Sequence, residues 1–211
     1  MSNIILVFVV LISFRLLCAS RIPSAINLVA AQGTLLGIYG LSAHWSHISA
    51  ELVALAAFSI ILKGFFFPRF LHRSLRGVTV MRETTPFVGY IPSLLIGLGA
   101  LALCQWIGVR LPLPSRDTST LVMPVVLFCV FAGLFLIIAR KKIVMQAVGY
   151  LVMDNGIYAF GISAFPQTSI LVELGLLINL CVAVVVRGIM IYNLSRVFHH
   201  MDSHHLSTLK G

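Results

Sequence analysis

A chain of 211 residues that is 59% hydrophobic and only 10% charged, with a mean hydropathy of +1.04, excludes a soluble globular domain, where about a quarter of residues carry charge. A hydrocarbon core about 30 Å thick takes roughly 20 apolar residues per crossing, so the length is filled by six or seven spanning helices and leaves no room for a separate aqueous domain. The formal net charge of +9 does not point to nucleic acid, because Lys and Arg sit in short caps between apolar runs and build no basic groove interleaved with aromatics.

The apolar runs predict spans at 3–20, 22–43, 48–67, 87–108, 121–139, 143–163 and 168–190. The first, from Ile4 to Cys18, has neither a basic segment ahead of it nor a small-residue cleavage pattern, and reads as a retained helix. The second carries Gly33, Gly37 and Gly40, small residues that let helices approach closely. After the third comes the longest loop, roughly 68–86, bounded by Pro68 and Pro86 and holding four arginines and Glu83. It reads as a cytoplasmic segment with an interfacial stretch. The joints at 20–22 and 140–143 are the tightest, and an error at either would change the parity. The expectation is an all-α polytopic membrane protein of about seven helices forming one domain over 1–211: a three-helix part with its loop (1–86), a fourth helix and outer loop (87–120), a second three-helix part (121–198) and a polar tail (199–211).

Loops on the cytoplasmic side collect Lys and Arg, which tests the parity. Seven spans put Arg21, Arg69, Arg73, Arg76, Arg82, Arg140, Lys141, Lys142, Arg196 and Lys210 on one side, ten of the fifteen basic residues, and only Arg110 and Arg116 on the other. The N-terminus is therefore expected outside and the C-terminus in the cytoplasm.

An ionisable side chain at mid-depth costs roughly 2.5–3.5 kcal/mol on insertion scales, so each one calls for a protein partner, a hydrated cavity or a function. Six qualify: Arg15, Glu51, Lys63, Asp154, Glu173 and Arg187. Asp154 falls about 16 Å into its helix, at the bilayer midplane, and Glu173 roughly 8 Å into the last span, with Asn179 near mid-depth on that same helix. Two carboxylates and an amide at staggered depths suit a proton relay, since a desolvated carboxyl can bind and release a proton near neutral pH. The competing reading is a fixed ion pair between Asp154 or Glu173 and Lys63 or Arg187. Lys63 could alternatively snorkel to the interface along its stem. Arg15 and Arg187 read as anchors near cytoplasmic helix ends, and Glu51 lies near the outer interface.

Cys18, Cys104, Cys129 and Cys181 have no metal-chelating spacing and read as small residues facing lipid or protein. His199, His200, His204 and His205 in the tail, and His44 and His47, read as polar flanks before they read as metal ligands. No nucleophile–base set, phosphate loop or cofactor pocket is present in the sequence, so the chain is expected to be non-catalytic on its own.

From Lys141 through Gln146, Gly149, Tyr150, Asp154, Asn155 and Gly156, the sequence resembles component E of the formate hydrogenlyase-type, group 4 membrane-bound hydrogenases. Leu171 to Gly175, Lys63 to Pro68 and Leu206 to Gly211 look like the same family, in order along most of the chain. Its last three helices are in turn similar to subunit K of respiratory complex I, where two membrane carboxylates belong to a polar chain coupling redox chemistry to ion pumping. By position Asp154 takes the role of the first carboxylate and Glu173 that of the second. Two departures stand out: the family usually has Glu at Asp154 and an acid at Asn179, and an amide organises water but does not titrate.

The resemblance implies a subunit of a hydrogenase-related complex in the bacterial inner membrane that contributes to proton or cation translocation. Its partners would be antiporter-like membrane subunits, a complex I-type membrane anchor and a hydrogenase-like soluble arm, with nickel–iron and iron–sulfur centres only in those partners and no cofactor in this chain. Asp154, Glu173, Lys63 and Asn179 are the expected proton-path residues. The rivals are a structural membrane scaffold with fixed ion pairs and a stand-alone transporter, which would show repeat symmetry and broken helices around a midplane site.

Overall fold

The computed structural model describes residues 2–43, 50–74, 87–111 and 120–164, and among them the chain is helical without strands. Helix α1 (Ser2–Leu17) is apolar but short, and α2 (Ile22–Ala43) is long enough to cross a bilayer. Helix α3 (Ala50–Ile60) runs without a break into a π-helical segment, Ile61–Phe66, and then into α4 (Phe67–Ser74). Helices α5 (Tyr90–Gly108), α6 (Val122–Ala139) and α7 (Ile143–Ala164) follow. Four of these helices, α2, α5, α6 and α7, are each long and apolar enough to span by themselves.

Both tight joints are real breaks, with the helices stopping at Leu17 and Ala139 and restarting at Ile22 and Ile143. The stretch after the third apolar run is different from the expected loop. Pro68 does not end the helix, and the chain stays helical to Ser74. A proline lacks an N–H and its ring presses on the carbonyl four residues back, which breaks a regular α-helix. Here the preceding turn is already widened, with the Phe67 N–H donating to the Leu62 carbonyl five residues back, so the register shifts before the ring arrives.

Contacts between non-neighbouring ends fix an up-and-down order. Arg140 donates to the carbonyl of Leu17, the Phe87 N–H donates to the Ala139 carbonyl at 3.0 Å, and His72 meets Asn27 at 3.0 Å. These contacts gather the C-termini of α1, α4 and α6 with the N-termini of α2, α5 and α7 at one end. At the other end Tyr39 and Ser163 share a hydroxyl contact of 3.1 Å, and Gly108 packs on Pro124. Arg140, counted above with the loop charges, is instead fully buried, its guanidinium on the last turn of α1 and 4.8 Å over the Tyr90 ring. A cation at a helix C-terminus meets the negative end of its dipole, which holds this charge inside the protein.

The closest helix pair is α6 with α7, where glycine faces glycine. A Cβ on Gly133 would stand 2.5 Å from the Gly149 carbonyl oxygen, and one on Gly149 would stand 2.8 Å from the Gly133 oxygen. Helices pack this tightly in lipid only where side chains are absent. The glycines of α2 work within the chain in the same way: Gly33 lies on the Lys63 stem, Gly37 on Ile60 and Gly40 on Ile162. Helix α5 is the loosest member, with Ile91, Leu95, Leu98 and Trp106 turned outward as lipid-facing or partner-facing groups.

Candidate functional site

The buried apolar residues fall into two clusters. One, around Leu16, Ile26, Phe67, Leu136, Met145 and Val148, fills the half nearer the end that holds Arg140. The other, around Leu6, Val9, Leu36, Val122, Val125 and Tyr158, fills the opposite half. Between them lies a polar layer contributed by five helical segments.

Its centre is Lys63, carried by the π segment. The Nζ is 2.9 Å from Asp154 Oδ2 and donates to Asn155 Oδ1 at 3.2 Å, both on α7, and stands 4.2 Å over the Tyr158 ring one turn further on. These three contacts match the three N–H groups of an ammonium. The Lys63 side chain is 3% exposed and that of Asp154 21%, so the cation is enclosed while the carboxylate keeps one open side. The stem reaches α7 because α2 has no side chain in its way: a Cβ on Gly33 would be 2.7 Å from the Lys63 Cβ. Snorkelling to an interface is thereby excluded for this lysine, and among the described residues its ion pair is with Asp154; the alternatives with Glu173 or Arg187 fall outside them.

The polar layer continues past the ion pair. Asn155 Nδ2 donates to Gln32 Oε1 at 3.2 Å, and Gln32 Nε2 donates to Ser13 Oγ at 3.0 Å, with Cys129 Sγ at 3.6 Å. Ser13 Oγ donates to the Val9 carbonyl at 2.9 Å. Ser13, Gln32 and Asn155 are buried, and the path joins α7, α2, α1 and α6. Gln32 follows Ile22 by ten positions and Asp154 follows Ile143 by eleven, about 15 and 16 Å along their helices, so the layer lies near the middle of both.

Sequence reasoning started from ionisable groups and added only the amide Asn179; it gave Gln32 and Ser13 no role and took Asn155 only as part of the motif. A glutamine at the centre of an apolar run was the available signal, since an unpaired buried amide is costly; Ser13 gave none, because serines are common in spans. Cys129, read as a small packing residue, is wholly buried and touches this polar path. Ser59, on the turn before Lys63, is fully buried and its hydroxyl has no hydrogen-bond partner among the described residues. Arg15 is on the outside of α1 in its last turn, as an anchor would be. Glu173, Asn179, Arg187, Cys181, His44, His47, the tail histidines, and the side chain of Glu51 lie outside the described residues. Among the described residues no group of three or more His, Cys, Asp or Glu could hold a metal ion.

A Mycobacterium tuberculosis protein described as uncharacterized is 28% identical over 204 residues, 95% of this chain and 92% of the relative. Hydrogenase-4 component E of Escherichia coli is 24% identical over 201 residues, 94% of this chain and 88% of the relative, and the Shigella flexneri protein of the same name matches equally. No protein-family model matches the chain, and no solved structure does. The similarity to a hydrogenase-4 component is distant and extends over nearly the whole chain, and four of the described helices are long and apolar enough to cross a membrane.

Proposed function

We propose that this chain is a membrane subunit of a hydrogenase-related redox complex in the bacterial inner membrane, and that Asp154 takes part in proton or cation translocation there. On this reading the chain spans seven times, with the N-terminus outside and the C-terminus cytoplasmic. It links antiporter-like membrane subunits to a complex I-type anchor and a hydrogenase-like soluble arm, and the nickel–iron and iron–sulfur centres belong to those partners. The observation that carries the proposal is the Lys63–Asp154 pair at mid-depth, with the carboxylate open on one side and the polar layer extending from the lysine on the other.

Chemically, the pair is a charge store that a neighbouring charge can tip. A proton delivered to Asp154 from its open side removes the partner charge of Lys63, and the ammonium is then held by Asn155 and the face of Tyr158. Loss of that proton restores the pair. Glu173 is the proposed second carboxylate of the path, and Asn179 a group that organises water along it.

Inverted vesicles carrying the assembled complex test this. Asp154→Asn and Glu173→Gln should each lower the protons moved per electron transferred, and copurification in mild detergent should bring down an antiporter-like chain and a metal-containing arm. Unchanged coupling in both variants refutes the relay. The full set of contacts around Lys63 also suits a fixed clamp between helices, and the two readings separate cleanly: a clamp tolerates a matched neutral pair at 63 and 154 without loss of coupling, and a relay does not.

A further inference from the structure

The hydrogen bonds beyond the ion pair all run the same way. Ser13 Oγ donates to the Val9 carbonyl, which can only accept, so its lone pairs face Gln32 and take an N–H from Nε2. That contact turns the amide of Gln32 so that Oε1, its acceptor, faces Asn155, where it receives the Nδ2 hydrogen. Asn155 is turned in consequence, and it is Oδ1 that meets Lys63 Nζ. A flip of either amide would set N–H against N–H or oxygen against oxygen in a buried site, at the cost of unsatisfied polar groups. The orientation fixed at α1 thus passes through α2 to α7 without a break, and each amide presents its negative end toward the ammonium.

We infer that Gln32 and Ser13 are positioning residues for the Lys63–Asp154 pair: anchored on the Val9 carbonyl, they lock the Asn155 amide with its oxygen toward Lys63 and so hold the ammonium beside Asp154. The functional consequence of that positioning rests on the relay reading above, but the positioning itself does not. Neither residue touches Asp154 or ionises, so their effect on proton movement is exerted through where Lys63 sits. The geometry also assigns the π segment a purpose, since it carries Lys63 at the height where the chain of amides ends.

The test uses the full complex in lipid, with lysine side-chain nitrogen and aspartate carboxyl carbon isotope-labelled, and reads their dipolar coupling by solid-state NMR. The Lys63 signal is assigned by its absence in Lys63→Met. Gln32→Met, which keeps the volume, and Ser13→Ala, which removes one buried hydroxyl, should both lose the lysine–carboxylate contact, while Ser13→Thr, which restores a hydroxyl, should keep it. Should Gln32→Met fail to assemble, Ser13→Ala against Ser13→Thr carries the comparison. Persistence of the contact in Ser13→Ala and Gln32→Met overturns the inference. Protons moved per electron should fall in the variants that lose the contact and recover in Ser13→Thr. If the contact is lost as expected but Asp154→Asn leaves coupling intact, the relay reading fails and the positioning stands. If Asp154→Asn uncouples and the contact survives without Gln32 or Ser13, the positioning fails and the relay stands.

Discussion

Removing one partner of the Lys63–Asp154 pair should cost stability, and removing both should cost less than the two single losses together. Breaking a fully buried ion pair from one side costs about 3–5 kcal/mol, because the remaining charge has no partner. Asp154 keeps 21% of its side chain exposed against 3% for Lys63. A carboxyl orphaned by Lys63→Met can therefore recover some solvation, and we expect about 2 kcal/mol for that variant. Asp154→Leu orphans the enclosed ammonium, which retains Asn155 and the Tyr158 face, and we expect about 3 kcal/mol. The double variant strands no charge but leaves Asn155 Oδ1 without its donor, for about 2 kcal/mol in all. The resulting coupling of about 3 kcal/mol is measurable as a double-mutant cycle by reversible unfolding of the detergent-solubilised protein. Strictly additive losses would mean that the two side chains do not interact in the folded protein, and the site described above would be wrong.

Other perturbations follow from the packing. Gly33→Ala places a methyl 2.7 Å from the Lys63 Cβ, which belongs to the backbone-proximal stem and cannot swing away, so it should destabilise by about 1–3 kcal/mol in the same unfolding assay. Gly149→Ala should separate α6 from α7, because its methyl would meet the Gly133 carbonyl, whereas Gly99→Ala, with nothing within 4 Å, should be neutral or stabilise by up to about 1 kcal/mol. Thermal unfolding of the two variants side by side checks the contrast. Arg140→Met removes the charge-assisted bond to the Leu17 carbonyl and should lower stability by about 1.5–3 kcal/mol, read from the unfolding midpoint. Ser59→Ala removes a buried hydroxyl that has no partner among the described residues, and should leave the midpoint unchanged or raise it.

The described helices were legible because hydrophobicity in lipid is a sum over many residues, and the breaks at 18–21 and 140–142 needed only a few polar positions to mark them; the expected span at 168–190 lies outside the described residues. Asp154 and Lys63 stood out for the same energetic reason. Their pairing was only one of several open alternatives, because it depends on the rotation of the third apolar run about its axis, and one π turn changes that rotation without any residue announcing it. Pro68 misled in the same place: read alone it ends a helix, but after a widened turn it is accommodated. Arg140 misled in the opposite direction, since a basic residue beside Lys141 and Lys142 looks like part of a loop, and only the contact with α1 shows it to be interior. The amides were hidden by the criterion used. Apart from Asn179, charge was treated as the mark of cost in a membrane, yet a buried amide without a partner is costly too, and Gln32 and Asn155 are satisfied by each other across two helices.

The central claim is that Asp154 changes its protonation state while the complex works. Infrared difference spectroscopy of the assembled complex, comparing resting and turning-over states, measures this directly. The account predicts a carboxylic acid carbonyl band that appears during turnover, shifts when the aspartate carboxyl carbon is isotope-labelled, and is missing in Asp154→Asn. A difference spectrum that is the same with and without Asp154 would contradict it.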